Sequence, residues 1–190
     1  MATLTAAMLD DLHRGCTAIS ILPYLSGGVT SFSSLDFSSA DQIFTLQDSF
    51  QISKGDPSTT EIKVDQEQRT IDTDVEEGEW TLAGNIPSVA QAVLEYFYTK
   101  KGSTITGVKG QGSSIANYTS GQAYTSKSKE VEVTMLVESA SKKTAIIFAH
   151  VKMSVGFTND DNSTPAYLRM TGNILANTKD GVGDWAVVYA

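Results

Sequence analysis

The stretch from Lys54 to Trp80 holds most of the chain's negative charge and very little apolar surface. It contains nine carboxylates and three cations, so it contributes −6 to a total formal charge of −8. The apolar side chains that precede Trp80 are Ile62, Val64, Ile71 and Val75. So few apolar groups cannot build a hydrophobic core, and the segment must remain in solvent or pack on a partner that supplies one.

The same stretch alternates like two strands joined by a turn, which predicts a β-hairpin arm. We expect the arm to pack on a neighbouring subunit, and the alternative is a mobile acidic surface loop. The charged residues assigned to this arm are Asp56, Glu61, Lys63, Asp65, Glu67, Arg69, Asp72, Asp74, Glu76 and Glu77.

Length and composition limit the class of protein. The chain has 190 residues, enough for one domain with a sizeable core, and it has no apolar run near the ~18 residues of a membrane span. Its charge of −8 and pI near 4.7 argue against gripping nucleic acid, because phosphate binding relies on clustered Lys and Arg. The single Cys16 excludes an internal disulfide, and no secretion signal is recognisable, so we expect folding in a reducing cytoplasm.

Apolar and polar residues alternate in several segments, which predicts a β-rich domain. The predicted strands are residues 43–53, 130–137, 145–155, 166–176 and 185–189. Residues 130–137 and 145–155 should form a hairpin across the turn at 139–144. In the second strand of this hairpin, the pattern predicts one uninterrupted face of Ala145, Ile147, Ala149, Val151, Met153 and Val155.

One α-helix is predicted near residues 87–101. Asn85 or Ser88 would cap its start beside Pro87, and Lys100, Lys101 and Gly102 are typical of a helix C-terminus. Residues 1–40 are interpreted as an N-terminal extension that includes a short helix with Met8, Leu9 and Leu12 on one side. Residues 41–190 are interpreted as a single β domain, in which the Gly-rich tract at 107–122 is an exposed loop.

No catalytic or metal-binding motif stands out. His13 and His150 lack metal-ligand spacing, and Cys16 has no His or Asn partner in a recognisable motif. The tract GVKGQGSS does not match a phosphate-binding loop, and TDVEEGEW does not match a calcium loop. We therefore expect no enzyme activity and no cofactor.

The order of strand, acidic arm, the tract from Gly78 to Pro87, helix and C-terminal antiparallel strands resembles the tail tube proteins of tailed bacteriophages. The tubes of contractile injection systems share that fold. The resemblance covers residues from about Ala40 to the C-terminus. It implies a mainly β fold, an antiparallel β-sandwich or partly closed barrel with one flanking α-helix and a long acidic hairpin arm.

The resemblance also implies a function. Such proteins form six-membered rings that stack into a hollow tube, in which an arm reaches the next ring and DNA passes without specific binding. An acidic wall would let DNA slide, because it offers no cations for the phosphates to pair with. We assign Glu130 and Glu132 to the polar, lumen-facing side on this basis. The implied partners are further copies of the chain and a terminator, tape measure or sheath protein, in a virion tail assembled in the host cytoplasm, with no membrane contact.

Other structural roles remain open. A capsid decoration or head–tail connector protein would also be β-rich, but it would form a trimer, a cap or a single ring. An injection-system tube would differ mainly in its cargo. An adhesin would place Tyr118, Tyr124 and Tyr167 in a binding patch on loops.

Overall fold

The computed structural model describes residues 16, 18–64, 69–87, 90–109, 117–118, 120–158 and 166–190. This part of the chain is mainly β, and all its strand pairs are antiparallel, which confirms the predicted fold class. The strands are β1 (Ala18–Pro23), β2 (Asp41–Ile43), β3 (Gln51–Lys54), β4 (Ser58–Val64), β5 (Arg69–Glu76), β6 (Trp80–Ile86), β7 (Tyr98–Lys100), β8 (Val108–Lys109), β9 (Asn117–Tyr118), β10 (Tyr124–Ser128), β11 (Val131–Glu138), β12 (Thr144–Thr158), β13 (Tyr167–Leu175) and β14 (Trp185–Tyr189). The helical elements are α1 (Gln91–Phe97) and a 3-10 turn at Phe32–Ser34.

Eight strands form one open sheet in the order β2–β1–β11–β12–β13–β6–β3, and β14 adds a second neighbour on one side of β12. The edges of this path are β2 and β3. The connection between these two strands passes the end of β6, where the Leu46 N–H donates to the Asn85 carbonyl at 2.7 Å. The sheet is not closed, but the segment between β2 and β3 runs from one edge strand to the other.

The long strand β12 organises the sheet because it has three neighbours. Along one side it pairs with β11. Along the other side, Thr144 to Phe148 pair with β14 and His150 to Thr158 pair with β13. The change of partner occurs at Ala149, whose N–H donates to the Asp184 carbonyl at 2.8 Å. Among the described strands, β12 is therefore the only one that pairs with β14.

A β-bulge in the β11–β12 pair reverses the inward face of β12. Val133 pairs with Val151 and Met135 pairs with Phe148, so Thr134 faces two residues instead of one. The Thr134 hydroxyl donates to the Ala149 carbonyl at 2.9 Å at this position. Phe148, before the bulge, and Val151, after it, both belong to the buried core. The inward positions of β12 therefore change from even-numbered to odd-numbered residues at the bulge.

The uninterrupted face that we expected along 145–155 is therefore wrong at its beginning. The 139–144 turn and the hairpin around it are confirmed, since the Ser139 N–H donates to the Thr144 carbonyl. A bulge inserts one residue without a break in the apolar pattern, so the sequence alternation cannot reveal it.

The hydrophobic core lies on one face of the sheet and beneath α1. Its central residues are fully buried and come from four adjacent strands, β11, β12, β13 and β6. They include Val133, Met135, Phe148, Val151, Met153, Leu168, Met170, Leu82 and Ile86, with Phe97 from the helix. The alternation predicted for β11 is confirmed, because Val133, Met135 and Val137 are all buried.

The predicted strand at 43–53 is wrong as a single element. β2 ends at Ile43 and β3 begins at Gln51, with a turn between them in which Asp48 has a φ of +58°. Phe44, an apolar residue of the alternating pattern, is 65% exposed. Asp48 interrupts the apolar face in the sequence, and aspartate tolerates this left-handed conformation better than most residues.

The predicted helix near 87–101 is wrong in its bounds. α1 covers Gln91 to Phe97, and Asn85 belongs to β6, so Asn85 does not cap it. Tyr98 to Lys100 form β7, and the last turn of α1 contains no basic residue. Gly102 does have a positive φ of +78°, but it follows a strand rather than a helix. Ser88 lies outside the described residues.

The boundary that we placed at residue 40 does not separate two units. β1 lies inside the main sheet, between β2 and β11, so residues 18–40 belong to the same domain as the rest. Met8, Leu9, Leu12 and His13 lie outside the described residues. Across the part that the structure describes, no helix has the length and apolarity needed to cross a membrane.

Candidate assembly surfaces

The acidic arm (residues 56–77) is a two-stranded ribbon outside the main sheet. β4 and β5 pair antiparallel from Ser58 opposite Glu76 to Val64 opposite Arg69. β4 alone extends about 23 Å, since a strand rises about 3.3 Å per residue. The sequence alternation predicted such a hairpin, and the described backbone has one.

The described side chains of the arm face solvent. Asp56, Asp74, Glu76 and Glu77 are exposed, and so is Val75. Glu61, Lys63, Arg69 and Asp72 lie in the paired strands, but their side chains are outside the described part, as are Asp65 and Glu67 altogether.

The root of the arm is fixed by backbone contacts. The Gly55 N–H donates to the Glu79 carbonyl at 2.8 Å, and the Lys54 ammonium pairs with Glu77. A Cβ on Gly78 would lie 1.9 Å from the Gly55 carbonyl oxygen, a separation that no side chain could adopt. The backbone at Gly78 therefore lies closer to Gly55 than any residue with a Cβ would allow.

A second ribbon follows α1, where we expected a flexible loop. β7 pairs with β10, Ile105 forms a bridge with Gly121, and β8 pairs with β9. Ile105 and Val108 expose apolar side chains on this ribbon. Tyr118, Tyr124 and Tyr167 lie in β9, β10 and β13, so these aromatics lie on strands rather than on loops.

The face of the sheet opposite the core is polar, and we call it the polar face. It is built by the outward residues of β6, β12 and β13 and by the start of β11. Its members are Thr81, Ala83, Glu130, Glu132, Lys152, Ser154, Arg169, Thr171 and Asn173. Four of these residues carry a hydroxyl or amide group, and the two carboxylates are matched in number by two cations.

Glu130 and Glu132 both lie beside cationic or titratable groups on this face. Lys152 Nζ is 2.9 Å from Glu130 Oε2, and the hydrogen bond from this ammonium holds the pKa of Glu130 below its ordinary value. The same contact raises the pKa of Lys152. Glu132 Oε2 lies 3.4 Å from His150 Nε2, which is longer than a typical N–H···O bond.

His150 belongs to a cluster that joins the segment after β1 to the segment after β13. Its ring stacks on Tyr24 with 3.8 Å between centroids and 2° between planes. The Tyr24 hydroxyl lies 2.9 Å from the Thr178 hydroxyl. Asn177 binds the backbone of Val29 twice, accepting from its N–H and donating to its carbonyl at 2.9 Å each. His150 is thus a largely buried residue that packs within the chain.

The last strand, β14, is an apolar edge. Within the described residues it pairs with β12 only, so its other side has free backbone groups. Trp185, Val187, Val188 and Tyr189 are between 37% and 67% exposed. An exposed, apolar strand with one unpaired side is a ready template for a strand of another chain.

No protein-family model matches this chain. No curated protein is significantly similar to it in sequence.

The sequence analysis did not identify the cations of the polar face. Lys152 and Arg169 balance the charge of the polar face, but their position follows from strand register that alternation does not give. The apolar edge could have been recognised, because Trp185 to Tyr189 contains no polar residue and so cannot have a polar outer face.

Proposed function

We propose that copies of this chain form six-membered rings that stack into a hollow tube, the tail tube of a tailed bacteriophage, through which DNA passes during genome ejection. The observation that carries the proposal is the acidic arm, an ordered ribbon whose described side chains are exposed. An isolated two-stranded hairpin is marginally stable in water. An arm that packs on a neighbouring ring gains the apolar partner that it lacks.

The edge strand β14 supports lateral association within a ring. Pairing of its free backbone with an edge of the next copy would cover both the unpaired groups and the exposed apolar side chains of Trp185 and Val188. Contacts between different surfaces of identical subunits close into a ring when the rotation allows it. Stacked rings also leave no aggregation-prone edge exposed.

The polar face is our candidate for the wall of the lumen. Its hydroxyl and amide groups and its balanced charges offer no cluster of cations for phosphates to pair with. The Glu130–Lys152 pair in particular neutralises a lysine that would otherwise attract DNA. Such a wall would allow DNA to slide without deep binding minima.

We propose that the tube ends contact other tail proteins, such as a terminator, a tape measure or a sheath, and that assembly takes place in the host cytoplasm. A decoration protein, a connector or an injection-system tube remains the alternative.

Deletion of the arm tests the proposal. Residues 56–77 can be replaced by a short Gly-Ser bridge with little strain, because Gly55 and Gly78 are already in contact. We expect the deletion variant to remain a folded monomer and to lose the hollow tubes that the full chain forms. Negative-stain electron microscopy of both chains over a range of concentrations is the measurement.

The matched control keeps the arm and changes a turn far from it. Asp180→Lys alters one exposed charge in the turn before β14, and we expect its tubes to be normal. Tubes of the deletion variant with unchanged length would refute the role of the arm. A full chain that forms only trimers or single rings would favour a decoration or connector protein.

The lumen assignment has a test of its own. Particles built with Glu130→Lys and Glu132→Lys together should assemble but release DNA more slowly, because the reversed charges place a cationic patch beside Lys152. The measurement is the rate of DNA release, with Asp180→Lys particles as the control. Release at the control rate would show that the polar face does not line the lumen.

A further inference from the structure

The ribbon that follows α1 is basic, and we call residues 98–129 the basic ribbon. Its sequence contains five lysines and neither aspartate nor glutamate. The acidic arm contains eight carboxylates and two cations. A chain with a net charge of −8 therefore carries two ribbons of opposite sign, and the strands of both lie outside the main sheet.

Part of the positive charge of the basic ribbon is not balanced by the described part of its own chain. Lys100 Nζ lies 2.7 Å from Glu95 Oε1, and Lys129 Nζ donates to the Glu95 backbone carbonyl at 2.8 Å. Lys101 and Lys127 are exposed, and neither forms an ion pair with a described carboxylate. These two ammonium groups are available to a carboxylate from another molecule.

Exposed apolar side chains accompany the charge on both ribbons. Ile105 and Val108 are exposed on the basic ribbon. On the arm, Val75 is exposed between the exposed carboxylates Asp74 and Glu76. Each ribbon therefore offers the other an opposite charge and an apolar partner, and contact between them would remove apolar surface from water.

The arm continues one edge of the main sheet. β4 and β5 keep the antiparallel register of β3 and β6, from the pair Lys54–Trp80 to the pair Ser58–Glu76. Because β6 runs from Trp80 into the sheet, the arm extends in the opposite direction, past the Trp80 end.

The basic ribbon begins towards the other end of β6. The Tyr98 hydroxyl donates to the Val155 carbonyl at 3.4 Å. Val155 pairs with Met170 and Met170 pairs with Gly84, so Tyr98 lies level with the second half of β6. The arm thus extends away from the basic ribbon of its own chain. A second copy can supply that ribbon, in a contact between two different surfaces of identical chains.

We propose that the acidic arm of one copy binds the basic ribbon of a second copy, with Asp74 and Glu76 near Lys101 and Lys127. This docking rests on the proposed role of the arm as a contact between copies, and it adds the surface that receives the arm. Opposite charge determines where the arm binds. The exposed apolar side chains of both ribbons supply the attraction that remains when salt screens the charges.

Reversal of charge on either ribbon tests the proposal at about 150 mM salt, where long-range repulsion between copies is screened. The arm variant combines Asp74→Lys with Glu76→Lys, and the ribbon variant combines Lys101→Glu with Lys127→Glu. Each should raise the concentration at which polymer forms by roughly tenfold or more, because like charges then face each other. Light scattering over a dilution series measures this concentration.

A mixture of the two variants is the sharpest measurement. In the mixture the reversed arm meets the reversed ribbon, and the unchanged arm meets the unchanged ribbon. We therefore expect polymer at close to the parent concentration, and this rescue also shows that both variants are folded. A mixture of folded variants that assembles no better than either variant alone overturns the proposal.

The matched control combines Lys142→Glu with Lys179→Glu, which changes the net charge as the ribbon variant does, at two exposed turn residues. We expect it to assemble like the parent chain. An equal loss in this control and in the ribbon variant would assign the effect to net charge and overturn the proposal. A ribbon variant that assembles normally but no longer binds a short DNA duplex would also overturn it, in favour of a nucleic-acid site.

Cross-linking separates the docking from the proposed tube. In a Cys16→Ser background, one chain carries Val75→Cys on the arm, and a second chain of different mass carries Ser103→Cys near Lys101. With a short bis-maleimide we expect heterodimers, and far fewer when Ser39→Cys, in the exposed turn before β2, replaces Ser103→Cys. Heterodimers from a chain that forms no hollow tubes would support the docking and refute the tube. Hollow tubes without heterodimers would overturn the docking alone.

Discussion

At the scale of single residues, burial separates side chains of the same chemistry. Leu168 has no exposed surface and lies in the core cluster between β12 and β6. Leu25 is 72% exposed, in the turn after β1. The two leucines provide a direct comparison of what the core contributes to stability.

We predict that Leu168→Ala lowers the free energy of unfolding by about 2–5 kcal/mol, because it removes buried methyl groups and leaves a cavity. Leu25→Ala should change it by less than about 0.5 kcal/mol. Urea denaturation of the two variants under conditions that keep the chain monomeric measures both values. A similar loss in the two variants would show that the core is not where the structure places it.

The Glu130–Lys152 pair gives a prediction about pH. The pKa of Glu130 lies below the ordinary 4.5, because Lys152 donates a hydrogen bond to the carboxylate. A lowered pKa in the folded state stabilises the protein above pH 4.5, and this stabilisation is lost as the pH falls through the lowered value. Lys152→Met should therefore raise the pKa of Glu130 towards 4.5.

Carbon-13 NMR titration of the glutamate carboxyl groups measures that shift. Lys179→Met is the matched control, since Lys179 lies in the turn between β13 and β14, away from Glu130. The pKa of Glu130 in Lys179→Met should match that in the parent chain. If Glu130 kept its low pKa in Lys152→Met, another group would have to stabilise the carboxylate.

At the scale of elements, the strands were predicted better than their faces and ends. The pattern located β11 and β13 because apolar residues recur at alternate positions in them, and β14 because its apolar sequence follows a turn-rich segment. The bulge in β12 was missed because it changes register within a segment that still alternates. The turn at Asp48 was missed because one polar residue in an otherwise apolar face does not by itself indicate a turn. The helix ended early because Tyr98 to Lys100 found a strand partner in β10, which helical periodicity cannot indicate.

The root of the acidic arm depends on Gly78. An alanine there would push the β5–β6 connection away from Gly55, so we predict that Gly78→Ala lowers the free energy of unfolding by about 1–3 kcal/mol. It should also weaken tube formation, because the arm leaves the sheet at a different angle. Thermal denaturation and electron microscopy measure the two effects.

Gly156→Ala is the control for this substitution. Gly156 also lies in a strand, but a Cβ there meets no atom within 4 Å. We expect its stability and its tubes to match those of the parent chain. If Gly78→Ala matched Gly156→Ala in stability and in tube formation, the close approach of Gly78 to Gly55 would not matter for either property.

At the scale of the whole molecule, charge should oppose the proposed assembly and exposed apolar surface should favour it. The chain carries −8, most of it in and beside the acidic arm, so neighbouring copies repel each other at low ionic strength. We predict that raising salt from about 20 mM to about 150 mM lowers the concentration at which polymer forms, because the Debye length falls to about 8 Å. Light scattering over a dilution series measures this concentration.

A variant with Asp74→Asn and Glu76→Gln should depend less on salt, since it carries less of the repelling charge in the arm. Polymer that dissolves as salt rises would contradict the prediction. It would show that ion pairs between subunits, rather than apolar contacts, hold the assembly together.

The candidate surfaces were only partly accessible from sequence. The arm follows from composition, because eight carboxylates with few apolar neighbours cannot be a core. The apolar groove between β2 and α1 is lined by residues that are distant in sequence, such as Ile21 and Val93. The polar face likewise combines distant residues, such as Glu130 and Lys152. Only the strand order brings them together, and hydrophobic periodicity carries no information about that order.

The two tryptophans of the chain give it a built-in optical probe. Trp80 and Trp185 lie 5.7 Å apart between ring centroids, at an interplanar angle of 56°, and Trp80 also contacts Phe148. Rings this close and tilted should couple their electronic transitions and produce a strong near-ultraviolet circular dichroism signal. Trp185 is still 45% exposed, so its fluorescence should shift to shorter wavelength whenever the β14 edge becomes dry. Unmodified protein can therefore report, in real time and without a label, the moment at which that edge is covered.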